Sequence, residues 1–450
     1  MGLRRSVIPA YLFACLLLGG STQIVWATAI LQLIAIAILA WLAMSSMRHP
    51  LPVAARGLAW LVAAMVGLVV LQLLPLPAVL WEAIPGRTLA RDGLTVLGLA
   101  PGWQSLSLAP YDTVSAALAL LPPLAVLAGV TVLRAYSRTG VAIAVLAAAM
   151  LGLVLGAAQV GSPVASGEQY YLQLEVNAGT PSGFFANPNH MATLLLVAIP
   201  FAAALLESGL ARDGRMPNSR RAVAGACVMS LLVIGLVLNR SLAGWGLMSP
   251  VVIASLTMIL PKRWWRGVVV CGAIGTLAVA LMLLTTSMRA KLTGDAATSV
   301  STRQEYVTTS LAVAQTYAPF GSGIGSFARV YRMKEDPRGV DPTIFVNHAH
   351  NDYVELLVEA GVPGLALVLL FLWWWARTAL GMLRSPSADH YARAGAIASA
   401  AILLHSLVDF PLRTSAISAC LALSIGLMLV SRRRARSADD FRPTRHIEIR

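Results

Sequence analysis

The feature that most constrains this chain is a series of long apolar stretches along its 450 residues. A transmembrane helix needs roughly 20 predominantly apolar residues, and we identify twelve candidates. They cover residues 7–22, 24–45, 57–76, 113–133, 140–160, 189–207, 222–238, 242–260, 267–285, 354–375, 394–410 and 414–431. Because 57% of the residues are hydrophobic and only 12% are charged, most of the chain is expected to lie in a non-aqueous medium. The sequence therefore predicts an all-α polytopic membrane protein of about twelve transmembrane helices.

The distribution of basic residues predicts the orientation of these helices. Lys and Arg are enriched in cytoplasmic loops, and placing Met1 in the cytoplasm puts most of the 34 Lys and Arg on that side. Both termini are then cytoplasmic, and the stretch at 7–22 is retained as the first span. The net charge of +14 is explained by these topology signals beside anionic lipid head groups. Membrane lipids are therefore expected partners, and nucleic acid is not.

Three longer segments are predicted on the outer side, at 77–112, 161–188 and 286–353. The first is rich in Pro and Gly, and the third is the longest; loops of that length are more often functional than idle. We therefore divide the chain into three regions. These are an N-terminal membrane region with helices 1–5 at 1–160, a catalytic region with helices 6–12 at 161–431, and a basic cytoplasmic tail at 432–450.

The longest outer segment is expected to be partly helical. Its sequence TRQEYVTTSLAVAQTYAP has Tyr306, Ser310, Ala314 and Tyr317 near helical spacing, which predicts an amphipathic helix that ends before Pro319. The following FGSGIGSF neither follows a strand nor opens a clear helix. We therefore favour a backbone turn packed against the site over a phosphate-binding loop.

Ionisable groups are gathered on the predicted outer face. All 20 Asp and Glu lie in loops or near the ends of predicted spans, whereas ion-coupled transporters place such groups near the bilayer midplane. His190, His348, His350 and His405 lie within or beside external loops. This arrangement favours a site for chemistry at the outer surface over a transport path.

A zinc site is the first alternative for these histidines, because His348 and His350 alternate along the chain and would face the same way. No Cys or carboxylate with recognisable ligand spacing joins them, and the same loop is rich in Arg. Cations around a site favour an anionic ligand over a metal ion. We therefore expect no metal and no other cofactor.

Arg240 lies in LVLNRSLAGW, a very short turn between two predicted spans. A guanidinium at this level can form paired hydrogen bonds to phosphate oxygens. Snorkelling of the side chain to the lipid head groups explains the position equally well. The sequence leaves both explanations open.

Several motifs occur in the order found in a known family. They are GFFANPNHMATLLLVAIPF, NRS, TRQEYV followed by APFGSGIGSF, HAHNDYVELLVEAGVPGLALVL, and HSLVDFPLR. Over residues 180–430 the chain resembles the O-antigen ligase and polymerase superfamily, membrane glycosyltransferases that take a glycan from a polyprenyl diphosphate carrier. The most specific part is His350 and Asn351, then nine residues, then Gly361-x-x-Gly364. The Pro-rich first outer segment also resembles exopolysaccharide members.

The resemblance implies a GT-C-like fold, a catalytic His350, and pyrophosphate-binding arginines at Arg240 and Arg303. Arg240 stands in Asn-Arg-Ser, where many relatives have Ser-Arg. Further residues expected to contact or orient the substrates are Asn187, Asn189, His190, His348, Asn351, Asp352, Glu355, Arg289 and Lys291.

Two acidic positions near the motif allow more than one interpretation. Glu355 and Glu359 are one turn apart on a helix face, where they can read the acceptor or form an ordinary salt bridge. His405 with Asp409 is expected to form a structural cap on the outer side, with a direct role in the site as the alternative.

The expected chemistry follows from the donor. A sugar on diphosphate already has a good leaving group, so two arginines can stabilise the charge that develops on the pyrophosphate. A neutral imidazole can take the proton of the attacking hydroxyl. Direct attack at the anomeric carbon inverts its configuration and needs no divalent cation.

The sequence thus predicts inverting, metal-independent glycosyl transfer from an undecaprenyl-diphosphate-linked oligosaccharide at the periplasmic face of the bacterial inner membrane. The favoured acceptor is another carrier-linked glycan, which makes the protein a polymerase of O-antigen or exopolysaccharide repeat units. The alternatives are an O-antigen ligase with lipid A-core as acceptor and a protein O-oligosaccharyltransferase. A non-enzymatic alternative is a lipid-linked sugar flippase or transporter, which would line a path through the bilayer with charged groups.

Overall fold

The computed structural model describes residues 2–21, 24–46, 55–161, 181–208, 218–260, 262–267, 270, 272–273, 295–335, 345–385 and 388–440. Most of these residues are helical. The helices are α1 Gly2–Leu18, α2 Val25–Ser46, α3 Arg56–Leu73, α4 Ala78–Glu82, α5 Thr88–Val96, α6 Pro110–Ala119, α7 Leu121–Thr131, α8 Arg138–Gly161, α9 Pro188–Ser208, α10 Asn218–Leu238, α11 Leu242–Ile259, α12 Asp295–Tyr317, α13 Phe327–Arg332, α14 Asp352–Arg384, α15 His390–His405 and α16 Ser415–Asp440. Short 3₁₀ turns cover Lys262–Trp264 and Pro411–Arg413, and an antiparallel ribbon pairs β1 Pro75–Leu76 with β2 Gln104–Ser105.

Within the described residues, seven helical stretches are long and apolar enough to cross a membrane. They are Val25–Ser45, Arg56–Leu73, Pro110–Thr131, Arg138–Gly161, Pro188–Ser208, Leu242–Ile259 and Asp352–Arg384. A predominantly helical fold with several candidate membrane spans is thus confirmed. The count of twelve and the loop topology stay predictions. The predicted span at 267–285 lies almost entirely outside the described residues.

The predicted span at 113–133 corresponds to the candidate span Pro110–Thr131, within which the structure has two helices, α6 and α7. The division falls at Leu120, and Pro122 and Pro123 stand in the first turn of α7. Proline has no backbone N–H to continue the hydrogen bonds of a preceding helix, but it is well accommodated in a first turn. A continuous apolar stretch therefore forms two consecutive helices.

Helix α9 lies at the centre of the packed helices. It contacts α8, α10, α11 and α15, and its residues from His190 to Leu205 are all buried. A helix that is apolar on every face is expected to be surrounded by other helices, and the alanines of this sequence allow their close approach. The first turn of α9 is therefore held firmly at one end of the bundle.

At the opposite end of the bundle, polar contacts join α15 to α8 and to α9. Arg138 forms an ion pair with Asp389 at 2.8 Å between Nε and Oδ2, and the hydroxyls of Tyr391 and Ser208 are 2.7 Å apart. Helices α8 and α15 thus begin at the end where α9 finishes. The other end of α15 leads to the loop with Asp409, which lies beside the start of α9 in the candidate site.

Helix α14 is kinked at Gly361, which has φ of +58° and ψ of −150°. This combination is essentially restricted to glycine. A Cβ here would collide with the carbonyl of Pro319, which accepts a hydrogen bond from the N–H of Val362 at 2.8 Å. The kink therefore lets the chain that follows α12 pack against the first part of α14.

The FGSGIGSF segment forms a turn between the first outer segment and α14. The amide of Gln72, at the end of α3, donates to the Glu359 carbonyl at 3.0 Å and accepts from the Ile324 N–H at 2.8 Å. The Thr113 hydroxyl donates to the Ile324 carbonyl at 2.6 Å. The N–H of Leu108 also donates to the Ser322 carbonyl at 2.8 Å, so the first and third outer segments are in contact. The glycines allow close backbone packing there, because a Cβ at Gly321 would lie 2.5 Å from the Glu359 carbonyl oxygen.

Candidate active site

Asp409 lies at the centre of the candidate site, in the loop after α15. Its side chain has no exposed surface. The carboxylate accepts hydrogen bonds from the side-chain amides of Asn187 at 3.2 Å and Asn189 at 2.5 Å, and from the Phe410 N–H at 2.8 Å. Burial alone would raise the pKa of Asp409, but the interactions with His190 and His350 hold it well below its usual range. The site is therefore built around a buried carboxylate that stays ionised at neutral pH.

His350 lies beside this carboxylate, with Nδ1 3.7 Å from Oδ1 of Asp409. Its ring stacks on Tyr306 with centroids 5.8 Å apart and meets Phe410 edge-on at 4.9 Å. The side chain is 24% exposed. A distance of 3.7 Å is longer than a hydrogen bond, and catalytic contacts of this kind often tighten only when substrate binds. A proton on Nδ1 facing Asp409 leaves Nε2 as the nitrogen that can accept a proton.

The backbone at His350 is also unusual, with φ of +50°. Among the described residues, positive φ outside glycine occurs at Arg134, Arg240 and His350. Non-glycine residues in this region cost about 1–3 kcal/mol and cluster at functional sites. Two of the three positions are thus the catalytic residues that the motifs predict.

Arg303 reaches the same carboxylate from α12. Its Nη2 is 3.4 Å from Oδ2 of Asp409, and its Nη1 donates to the Val408 carbonyl at 3.3 Å. The side chain is 26% exposed. These long contacts hold one side of the guanidinium and leave N–H groups for an anionic ligand. The structure therefore brings His350 and Arg303 to one carboxylate, and we call Asp409, Asn187, Asn189, Arg303 and His350 the Asp409 cluster.

Arg240 lies next to this cluster but does not join it through its own side chain among the described residues. It is exposed in the turn between α10 and α11, with φ of +60°. The neighbouring Ser241 caps α11 and donates to the side-chain oxygen Oδ1 of Asn189 at 2.7 Å. The turn is thus tied to the Asp409 cluster through Ser241, the residue that follows Arg240.

The three residues predicted to bind sugar or phosphate at the start of α9 turn inward instead. Asn187 and Asn189 direct their amides to Asp409. His190 is buried, edge-on to Phe410, with Nε2 3.5 Å from Oδ1 of Asp409. These side chains support the carboxylate, and His190 has only 3% of its side chain exposed for a substrate to reach.

A second group of charges surrounds Arg413, and we call it the Arg413 cluster. The guanidinium lies 3.9 Å from Asp352, 3.3 Å from Glu355 and 2.9 Å from Glu359. Burial alone would lower the pKa of Arg413, but these carboxylates raise it. Asp352 and Glu355, predicted as substrate contacts, are almost fully buried here. Of the two interpretations for Glu355 and Glu359, the structure shows the ion pair with Arg.

His348 is attached to this second cluster. Its Nδ1 is 2.9 Å from Oε1 of Glu355, and its ring stacks on Phe410 with centroids 4.1 Å apart. Phe410 therefore contacts both His348 and His350. The two histidines of the motif face different sets of charged groups.

The remaining predicted contacts have other positions. Asn351 caps the N-terminus of α14. Its side-chain oxygen accepts from the N–H groups of Tyr353 and Val354, and its side-chain amide donates to the backbone carbonyl of Leu407. These bonds leave only one amide hydrogen for a ligand. Arg289 and Lys291 lie outside the described residues.

Residues 227–369 match the family model of O-antigen ligase. This region therefore resembles the O-antigen ligase family. The match lies inside the range over which the motifs indicated that superfamily, and it contains Arg240, Arg303 and His350. A comparison with curated proteins gives no match. The match supports a function in membrane glycosyl transfer during polysaccharide assembly. Together with the apolar helices, it also supports a multi-pass membrane protein.

Asp409 lies outside the O-antigen ligase match, and its central position was not predicted. The sequence analysis assigned it with His405 to a structural cap. In the structure Nδ1 of His405 is 2.9 Å from the hydroxyl of Thr193, whereas Asp409 joins two of the three predicted catalytic residues, His350 and Arg303. The signal in the sequence was that this acid lies in the short HSLVDFPLR segment, four residues after His405, one of the four histidines predicted on the outer side. Among the described residues, no three His, Cys, Asp or Glu side chains are grouped to hold a metal ion.

Proposed function

We propose that the protein transfers a glycan from an undecaprenyl-diphosphate-linked oligosaccharide to an acceptor hydroxyl at the periplasmic face of the bacterial inner membrane. The acceptor is a second carrier-linked glycan, so the protein polymerises O-antigen or exopolysaccharide repeat units. The observation that carries this proposal is the meeting of His350 and Arg303 on Asp409. A base and an anion-binding group are the two functions that transfer from a diphosphate donor needs.

The chemical step uses this chain's own side chains. The acceptor oxygen attacks the anomeric carbon, and the bond from that carbon to the diphosphate oxygen breaks. The electron pair leaves with the carrier diphosphate, where Arg303 and Arg240 stabilise the negative charge. The hydroxyl proton passes to Nε2 of His350, and the imidazolium that forms is stabilised by Asp409. The attack inverts the anomeric configuration and uses no metal ion.

The positions of the site residues also support the proposed topology. The starts of α9 and α14, the turn before α11 and the loop after α15 all reach the Asp409 cluster. These four parts of the chain are on the outer side in the twelve-span prediction with both termini in the cytoplasm. The division into regions 1–160, 161–431 and 432–450 is kept as part of the proposal.

The test is reconstitution of the purified protein in lipid vesicles with a defined undecaprenyl-diphosphate-linked repeat unit and EDTA. A ladder of products longer than one unit, formed in EDTA, is the expected result. A single addition to supplied lipid A-core would instead identify a ligase. Intact donor moved between the two leaflets would indicate a flippase and contradict the proposal. Loss of product on addition of EDTA would contradict the metal-independent step.

A further inference from the structure

Besides the buried His190, two partly exposed imidazoles lie against the ring of Phe410, and each of these two faces a carboxylate. His348 stacks on Phe410 and His350 meets it edge-on. Nδ1 of His348 faces Glu355, and Nδ1 of His350 faces Asp409. The two side chains are 20% and 24% exposed, so each has an accessible edge. The proposed chemistry uses only His350 as a base, and the substrate that His348 is predicted to contact has not been assigned.

The charges behind the two imidazoles differ. In the Asp409 cluster a single carboxylate is matched by the guanidinium of Arg303, and the exposed Arg240, in the turn tied to this cluster, adds a positive charge. In the Arg413 cluster one guanidinium faces three carboxylates. With one to three of these ionised, the Arg413 cluster is neutral or negative. A diphosphate is therefore favoured on the Asp409 side, whereas an uncharged sugar hydroxyl meets no repulsion on the Arg413 side.

The geometry also fixes which edge of His348 can meet a ligand. Glu355 accepts from the Ala349 N–H at 2.9 Å and contacts Arg413 at 3.3 Å, so the carboxylate is held in place. An ionised Glu355 only accepts hydrogen bonds, so Nδ1 of His348 carries a proton toward it, and in the neutral imidazole Nε2 is then the acceptor. A fixed acceptor beside an aromatic ring suits a sugar, which has hydroxyl donors and apolar C–H faces.

We propose that His348, oriented by Glu355, binds a hydroxyl of the acceptor sugar. The acceptor then lies on the Arg413 side of Phe410, and the donor diphosphate lies on the Asp409 side. This assignment rests on the proposed glycosyl transfer. His348 sets the affinity for the acceptor, and His350 takes the proton.

The test compares His348→Asn with His348→Gln in reconstituted vesicles. The amide of Asn stands near the position of Nδ1 and can keep the contact with Glu355, but it does not reach the position of Nε2. The amide of Gln reaches the position of Nε2. The probes are the undecaprenyl-diphosphate-linked repeat unit as donor and a soluble oligosaccharide of the same repeat as acceptor. Donor binding is measured separately by titration without acceptor.

The expected result is a KM for the soluble acceptor raised about tenfold or more by His348→Asn and less by His348→Gln. Donor affinity should be the same in both variants as in the wild type. The assignment is overturned if donor affinity falls while the acceptor KM is unchanged. It is also overturned if both variants lose kcat equally at saturating acceptor, which would place His348 in the chemical step. Failure of the wild type itself to transfer glycan to any acceptor would overturn the proposed function and this assignment together.

Discussion

Replacement of Asp409 by Asn tests the centre of the site, because it keeps the shape of the side chain and removes its charge. The imidazolium that forms on His350 during transfer lies 3.7 Å from this carboxylate. At the effective dielectric constant of a site near the protein surface, such a pair is worth about 4 kcal/mol. Partial exposure of the imidazole reduces this value, so we expect the transfer rate to fall roughly 10²- to 10³-fold.

The same change also affects stability. The amides of Asn187 and Asn189 donate to different oxygens of Asp409, so one of them faces an amide nitrogen in the variant. A buried donor left without an acceptor costs about 1–3 kcal/mol. The lost pairing with Arg303 adds at most about 1 kcal/mol, because that guanidinium is partly exposed. The variant is therefore expected to remain folded with a lower melting temperature.

The assay measures initial rates of carrier-diphosphate release well below the melting temperature of the variant, beside its thermal unfolding curve. A rate within threefold of the wild type in folded Asp409→Asn protein would refute the reasoning. The pH dependence gives a second check. Since the folded-state pKa of Asp409 is lowered, its contribution to stability is present above its unfolded pKa of about 3.9 and is lost as pH falls through the folded value. This group should cause no change in stability between about pH 5 and 8.

Three further substitutions test other parts of the account. Arg303→Lys keeps the charge but loses the paired N–H groups, so the transfer rate should fall about tenfold or more at unchanged melting temperature; an unchanged rate would remove Arg303 from the donor site. Gly361→Ala should destabilise the protein by about 1–3 kcal/mol or more, because its backbone conformation is restricted to glycine. The control Gly381→Ala lies in open space on the same helix and should be neutral or stabilising by up to about 1 kcal/mol. Equal melting temperatures of the two variants would contradict the role given to Gly361 in the kink. Arg87 is buried and donates to the carbonyls of Leu106 and Gly321, so Arg87→Ala should lower the free energy of unfolding by about 1–3 kcal/mol. The exposed control Arg91→Ala should change it by no more than about 0.5 kcal/mol. Equal melting temperatures of the two variants would show that the hydrogen bonds of Arg87 do not stabilise the fold.

The parts of the fold that the sequence predicted are those set by local pattern. The helix through Tyr306 and Tyr317 ends before Pro319 as expected, because helical spacing and a terminating proline are local signals. The break between α6 and α7 was missed because hydropathy alone does not distinguish one apolar helix from two in sequence. The kink at Gly361 depends on its contact with Pro319, a tertiary feature that no local pattern shows.

The candidate site was predicted in its motif residues and missed in its centre. His350 stands in a spacing specific enough to be recognised, and Arg303 and Arg240 lie in motifs of the same family. Asp409 becomes central only when the start of α9, the α12 helix and the loop after α15 pack together. That arrangement depends on long-range packing. The burial of His190 depends on it too, because the sequence shows only a histidine next to a predicted span.

The most direct test of the central claim is the initial rate of carrier-diphosphate release by His350→Gln, measured with saturating donor and acceptor in vesicles. Removal of the base is expected to lower this rate about 10²- to 10⁴-fold in protein that retains the wild-type affinity for the donor. Release by His350→Gln within twofold of the wild type would contradict the assignment of His350 as the base and, with it, the site built around Asp409.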